Sequence, residues 1–174
     1  MKSRRSLVVS NAGPLIHLAK VNLLHLLKIL YGEVVIPSEV KLEAVDRGKE
    51  KGFPDAMRIE KAIQEGWIRI EEVKPNRNFA NTAKVAGLQA TEVAVVDHAY
   101  RNRGLAILDD DSARIFARTL GITVRGSLGI VLQARKERQI SRDDAAEALD
   151  KLAEIMHLAP DVYTLVRKEI EKAD

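Results

Sequence analysis

Short β-branched runs separated by longer stretches of helical periodicity restrict this chain to folds assembled from βαβ units. The runs are Ser6–Val9, Glu33–Ile36, Trp67–Glu71 and Leu105–Leu108, with a weaker fifth at Ile122–Val124. None exceeds five residues and few of their positions are polar, as in strands covered by helices on both faces. The expected class is therefore α/β with a central parallel sheet. A length of 174 residues is close to one domain at about 150 residues each, so residues 1–174 are expected to form a single domain.

The helical stretches have readable ends. Pro14 suits a first turn, where its missing N–H costs nothing, and Asn22 is placed to divide the surrounding apolar pattern into two helices. Ser38 is positioned to cap a helix that ends at Gly48, and Asp55 to cap one that ends at Gly66. The polar, proline-containing stretch Lys74–Asn81 reads as the longest loop. Thr91 opens a helix that stops at Gly104, and Ala113, Phe116, Ala117 and Leu120 repeat at helical spacing until Gly121. Helices after Ser141 and Pro160 form a C-terminal pair at about 141–172.

Composition removes several function classes. Cysteine is absent, which excludes disulfide scaffolds, thiolate zinc sites and cysteine nucleophiles and fits a reducing cytosol. Apolar runs break well short of the roughly 18 residues a membrane helix needs, and the run after the basic Met1–Arg5 is too short for a signal-peptide core. A cytoplasmic protein with no membrane partner is expected. Lys plus Arg total 28 against 25 for Asp plus Glu, a net charge of +3, which permits a nucleic-acid partner without requiring one. No P-loop, dinucleotide fingerprint or nucleophile elbow occurs. His17, His25, His98 and His157 lack paired ligand spacing and are assigned no role.

In open α/β sheets ligands bind at the carboxyl ends of the strands. Strand one ends in Ser10-Asn11 and strand four in Asp109-Asp110-Asp111, while Glu39 and Glu43 follow strand two and Glu92 begins the helix before strand four. Helix capping accounts for one or two of the aspartates, Asn11 also reads as a cap, and Glu43, Glu92 and Asp97 each read equally as ordinary helix residues. Carboxylates gathered at one edge repel unless a cation neutralises them, and hard oxygen donors suit Mg²⁺ or Mn²⁺.

In combination these segments resemble a PIN-domain family, most similar to compact prokaryotic members related to VapC toxins. The likeness runs from about Ser6 to Gln139 and rests on five segments in order. They are Leu7–Ile16 with Asn11, then Val35-Ile36-Pro37 with Val40 and Glu43, then Glu92 with Ala99. Ile107–Asp110 with Ala113-Arg114 and Gly126-Ser127-Leu128-Gly129-Ile130 complete the series.

The resemblance implies a three-layer α/β fold and a Mg²⁺- or Mn²⁺-dependent endoribonuclease that hydrolyses RNA phosphodiester bonds, as a stand-alone enzyme or as the toxin of a toxin–antitoxin pair. It places Asn11, Glu43, Glu92 and Asp110 at the four catalytic and metal-site positions, with Asp109 as an accessory metal residue. Arg101, Arg103, Arg114 and Lys84 are candidate contacts to the RNA backbone, and an antitoxin protein and a homodimer are the implied protein partners. Where the family's first position is Asp this chain has Asn11, which still offers a carbonyl oxygen but removes one negative charge. The alternative is a catalytically weakened PIN scaffold that binds RNA or a protein partner.

Overall fold

The computed structural model describes residues 6–173, so the Met1–Arg5 stretch lies outside the described residues. Five parallel strands, β1 (Val8–Ser10), β2 (Val34–Pro37), β3 (Ile68–Glu71), β4 (Leu105–Ile107) and β5 (Thr123–Arg125), form one sheet in the order β3-β2-β1-β4-β5. Each lies within about two residues of the run that predicts it. Val9 pairs with Val35 on one side and Ala106 on the other, which puts β1 at the centre of the sheet. Only β1 and β2 are buried at every position; the edges β3 and β5 leave Arg69, Ile70, Thr123 and Arg125 exposed. Coverage on both faces therefore holds for the central strands and fails at the edges.

Helix α7 (Ala90–Arg101) crosses β1, β2 and β4, flanked by α6 (Arg77–Val85) and α8 (Asp111–Thr119). On the other side, α1 (Ala12–Lys20), α2 (His25–Tyr31), α5 (Pro54–Gln64) and α9 (Ser127–Lys136) make the second helical layer. This is a three-layer α/β arrangement. The C-terminal pair, α10 (Arg142–Met156) and α11 (Pro160–Lys172), packs against α9. Ser141 caps α10 through Asp144 as the sequence predicts, and Pro160 opens α11. Asn22, with φ +60°, makes the break between α1 and α2. Among the described residues no single helix is long and apolar enough to cross a membrane.

Three local expectations need correction. The helix expected to end at Gly48 runs on: α3 (Ser38–Lys41), a π-helical turn over Leu42–Asp46 and α4 (Arg47–Glu50) are continuous. Gly48 is buried there because a Cβ would lie 2.7 Å from the Cβ of Ala56 on α5, and the chain turns instead at Gly52, with φ +71°. Asp55 is not the cap of α5; Phe53 holds that position and Pro54 takes the first turn. The long loop is short, since Arg77 begins α6 with the Asn76 side chain accepting from the backbone N–H groups of Asn78 and Phe79. Its polar surface hides the inward spacing of Phe79 and Ala83.

Candidate active site

The strand order reverses direction at β1, because the chain builds β2 and β3 on one side and then returns to place β4 on the other. Ligand crevices form at such a switch point, outside the carboxyl ends of the strands. Asn11 leaves β1 there, and Asp109 and Asp110 leave β4; the Asn11 backbone N–H donates to Ile107 O at 3.0 Å and ties the two exits together. The Asn11 Oδ1 is buried and has no hydrogen-bond partner among the described residues. A buried amide oxygen of this kind carries a desolvation cost that a donor or cation would relieve.

Asp110 caps α8, with Oδ1 accepting from the Ala113 N–H at 2.9 Å. Glu92 sits in the first turn of α7 and is only 7% exposed; its Oε2 accepts from the Gln89 N–H at 2.8 Å, one half of a reciprocal cap. Burial pushes the Glu92 carboxyl above its usual range, the Gln89 N–H opposes this, and the charges of Asp110 and Glu43 raise it further. Asp110 and Glu43 thus lie near enough to Glu92 for their charges to act on it. Glu43 is exposed on the π-helical turn, where Arg47 N–H donates to Leu42 O five residues back. Such turns are rare and recur at functional sites.

Asp109 has a different environment. Its Oδ2 accepts from Ser127 Oγ at 2.6 Å and from His17 Nδ1 at 2.7 Å, and its Oδ1 accepts from the Ser127 N–H at 2.7 Å. Burial alone would raise this carboxyl; the hydrogen bonds from His17 and Ser127 outweigh burial and hold it below the usual range. Three protein donors already occupy its oxygens. Gly126 leaves the room: a Cβ there would lie 2.9 Å from Asp109 Oδ1 and 3.4 Å from Arg114 Nη1. The buried Nε of Arg114 has no partner among the described residues.

His17 was invisible to the sequence, since an isolated histidine gives no ligand spacing. Ser127 was visible only as part of the exit from the fifth strand. Arg101 and Arg103 lie away from this edge. Arg101 ends α7, bonds Lys74 O at 3.3 Å and pairs by charge with the 1%-exposed Asp97 at 2.5 Å, at an angle unsuited to a hydrogen bond. Arg103 lines a depression at the amino-terminal ends of β1, β4 and β5. Lys84 is exposed on α6.

Oxygen donors dominate the carboxyl edge. Among the described residues no three His, Asp or Glu side chains already converge as a metal-holding group; the Asn11 amide oxygen is a further oxygen donor at this edge. An orphaned buried Oδ1 at the same sheet edge as Glu92 and the two carboxylates whose charges act on it is a donor set that fits a hard divalent cation. No curated protein matches the sequence. A family model described as a PIN domain matches residues 7–172, nearly the whole chain. With its parallel sheet, its switch-point acids and that match over almost every residue, the chain belongs to the PIN-domain family, a nuclease fold that works with divalent metal ions.

Proposed function

We propose that this protein is a cytoplasmic endoribonuclease that hydrolyses RNA phosphodiester bonds with Mg²⁺ or Mn²⁺ held by Asp110, Glu92 and Asn11. The observation that carries the reading is the unpartnered Asn11 Oδ1 at the same sheet edge as the Glu92–Asp110–Glu43 charge cluster. When bound, a divalent cation supplies Lewis-acid catalysis, acidifying water and shielding charge on the phosphate. The chain's own residues do the positioning. Asp110 is fixed by its capping bond to Ala113, and Glu92 by the Gln89 N–H, so neither carboxylate must be ordered when RNA arrives. Glu43, exposed beside them, is placed to orient an attacking water. Asp109 holds the edge together through His17 and Ser127 and keeps α1, β4 and α9 in register around the site.

Asn11 favours a second reading, a weakened scaffold that binds RNA without cutting it, because an amide brings no charge to the cation. One cleavage experiment separates the two: single-stranded and structured RNAs with Mg²⁺, Mn²⁺ or EDTA, using native protein, Asp110→Asn and Asn11→Asp. Asp110→Asn keeps an Oδ1 to accept from Ala113 while removing the charge. The enzyme reading expects metal-dependent cleavage by native protein, loss in Asp110→Asn and gain in Asn11→Asp. Cleavage by Asn11→Asp alone supports the scaffold, and inertness of both refutes the nuclease.

A further inference from the structure

We infer that the hollow between α1, α4 and the start of α5 is a nucleotide subsite for the stretch of single-stranded RNA adjoining the scissile bond; this rests on the endoribonuclease reading above. The hollow has a volume of about 330 Å³, and its wall includes Ile16, Lys20, Glu43, Arg47, Lys51 and Phe53. Glu43 belongs to both places, so the hollow adjoins the acidic edge.

Charge selects the occupant. Lys20, Arg47 and Lys51 are exposed and make no ion pair among the described residues. Their neighbours are neutralised: Lys41 by Asp46 at 2.6 Å and Lys49 by Glu60 at 2.7 Å. Three cations without ion pairs thus line a hollow that shares Glu43 with the acidic edge, an excess of positive charge suited to phosphates near that edge. The carboxylates Glu43 and Asp55 also line it, and Asp55 is buried.

Phe53 adds a second, independent feature. It caps α5, is 46% exposed, and is, among the described residues, the one aromatic in a lining that includes Lys20, Arg47 and Lys51. A base stacks on such a ring only when unpaired, which selects single strands over duplex. The hollow lies at the small end of ligand pockets, which run from about 300 Å³ upward, a size suited to one nucleotide. Its floor is closely packed, because Gly48 lets α4 close onto Ala56 with no space for a Cβ. Two of the four cations expected from sequence to meet RNA, Arg101 and Arg103, sit by contrast away from the acidic edge.

The test is binding of a fluorescein-labelled 12-nucleotide single-stranded RNA, read by anisotropy in EDTA across a salt series. Arms use DNA of the same sequence and duplex RNA. The triple variant Lys20→Ala/Arg47→Ala/Lys51→Ala is expected to bind at least about thirtyfold more weakly at 50 mM salt, with a salt slope shallower by about two logarithmic units, near 0.7 for each lost phosphate contact. Phe53→Ala is expected to lose about tenfold, restored by Phe53→Trp. A charge-matched control, Lys151→Ala/Lys168→Ala/Lys172→Ala on α10 and α11, keeps native affinity, and thermal melts verify that each variant is folded. Native-like binding by the triple variant, or equal loss in the control, overturns the subsite while leaving the RNA reading intact. Failure of native protein to bind RNA, or preference for the DNA or duplex arm, overturns the RNA reading and the subsite with it.

Discussion

His17 Nδ1 donates to Asp109 Oδ2 across 2.7 Å, joining α1 to the end of β4 over a separation of 92 residues. Ser127 at the start of α9 grips the same carboxylate through its hydroxyl and its backbone N–H. One side chain therefore fastens three elements, and its loss leaves several donors without an acceptor in a mostly buried place.

Asp109→Ala is expected to cost about 3 kcal/mol at neutral pH, measured by urea denaturation, because hydrogen bonds to a charged group are worth about 1.5–3 kcal/mol each. The effect depends on acid in a defined direction. Asp109 is held below its unfolded pKa, so the native state binds fewer protons there, and the fastening contributes fully above the unfolded carboxyl value of about 3.9. As pH falls below that value and through the lower native one, the contribution is lost. The stability gap between native protein and Asp109→Asn should narrow below about pH 4; a gap constant from pH 7 to 3 contradicts the assignment.

Glu92 behaves oppositely. Its pKa is raised, first by burial, so its ionisation costs the native state stability as pH rises from the unfolded value through the native one. Glu92→Gln keeps an oxygen for the Gln89 N–H and removes the charge. In EDTA at pH 7 the variant should melt at a higher temperature than native protein, and acidification should erase the advantage.

Divalent metal should reverse that ranking. Binding only to the native state stabilises it by about 2.7 kcal/mol at a hundred times the dissociation constant. Mn²⁺ should raise the melting temperature of native protein and leave Glu92→Gln nearly unmoved. Asn11→Asp should melt below native protein in EDTA, because a further negative charge joins Glu92 and Asp110, and above it in Mn²⁺.

Gly48→Ala tests packing rather than chemistry. Alanine raises helix propensity by about 1 kcal/mol over glycine, yet the new Cβ would meet Ala56 Cβ at 2.7 Å. Overpacking of that kind costs about 1–3 kcal/mol, so a net destabilisation is expected. The double variant Gly48→Ala/Ala56→Gly should recover part of the loss in a double-mutant cycle.

The central strands were legible because burial on both faces writes an unbroken β-branched run such as Val34–Ile36. The acids that follow strands were legible for the same reason, since the strand end fixes their place. His17 and Asp109 were not read as partners, because a contact between residues so far apart has no local periodicity. Nor was the π-helical turn that carries Glu43, since its sequence Leu-Glu-Ala-Val-Asp is ordinary helix material and its packing against α5 and α1 has no local signature. The polar residues of α6 concealed it because only Ala83 is fully buried there.

The central place of β1 has a consequence for synthesis. Val8 and Val9 are made about a hundred residues before one of their two strand neighbours, Leu105–Ile107. Until then a strand that is buried throughout in the finished fold has one open edge, and Asn11 has no Asp110 beside its sheet edge. The nascent chain therefore cannot bring Asn11 and Asp110 to one sheet edge until β4 has been translated, and any product that stops before it offers chaperones and proteases an unfinished sheet.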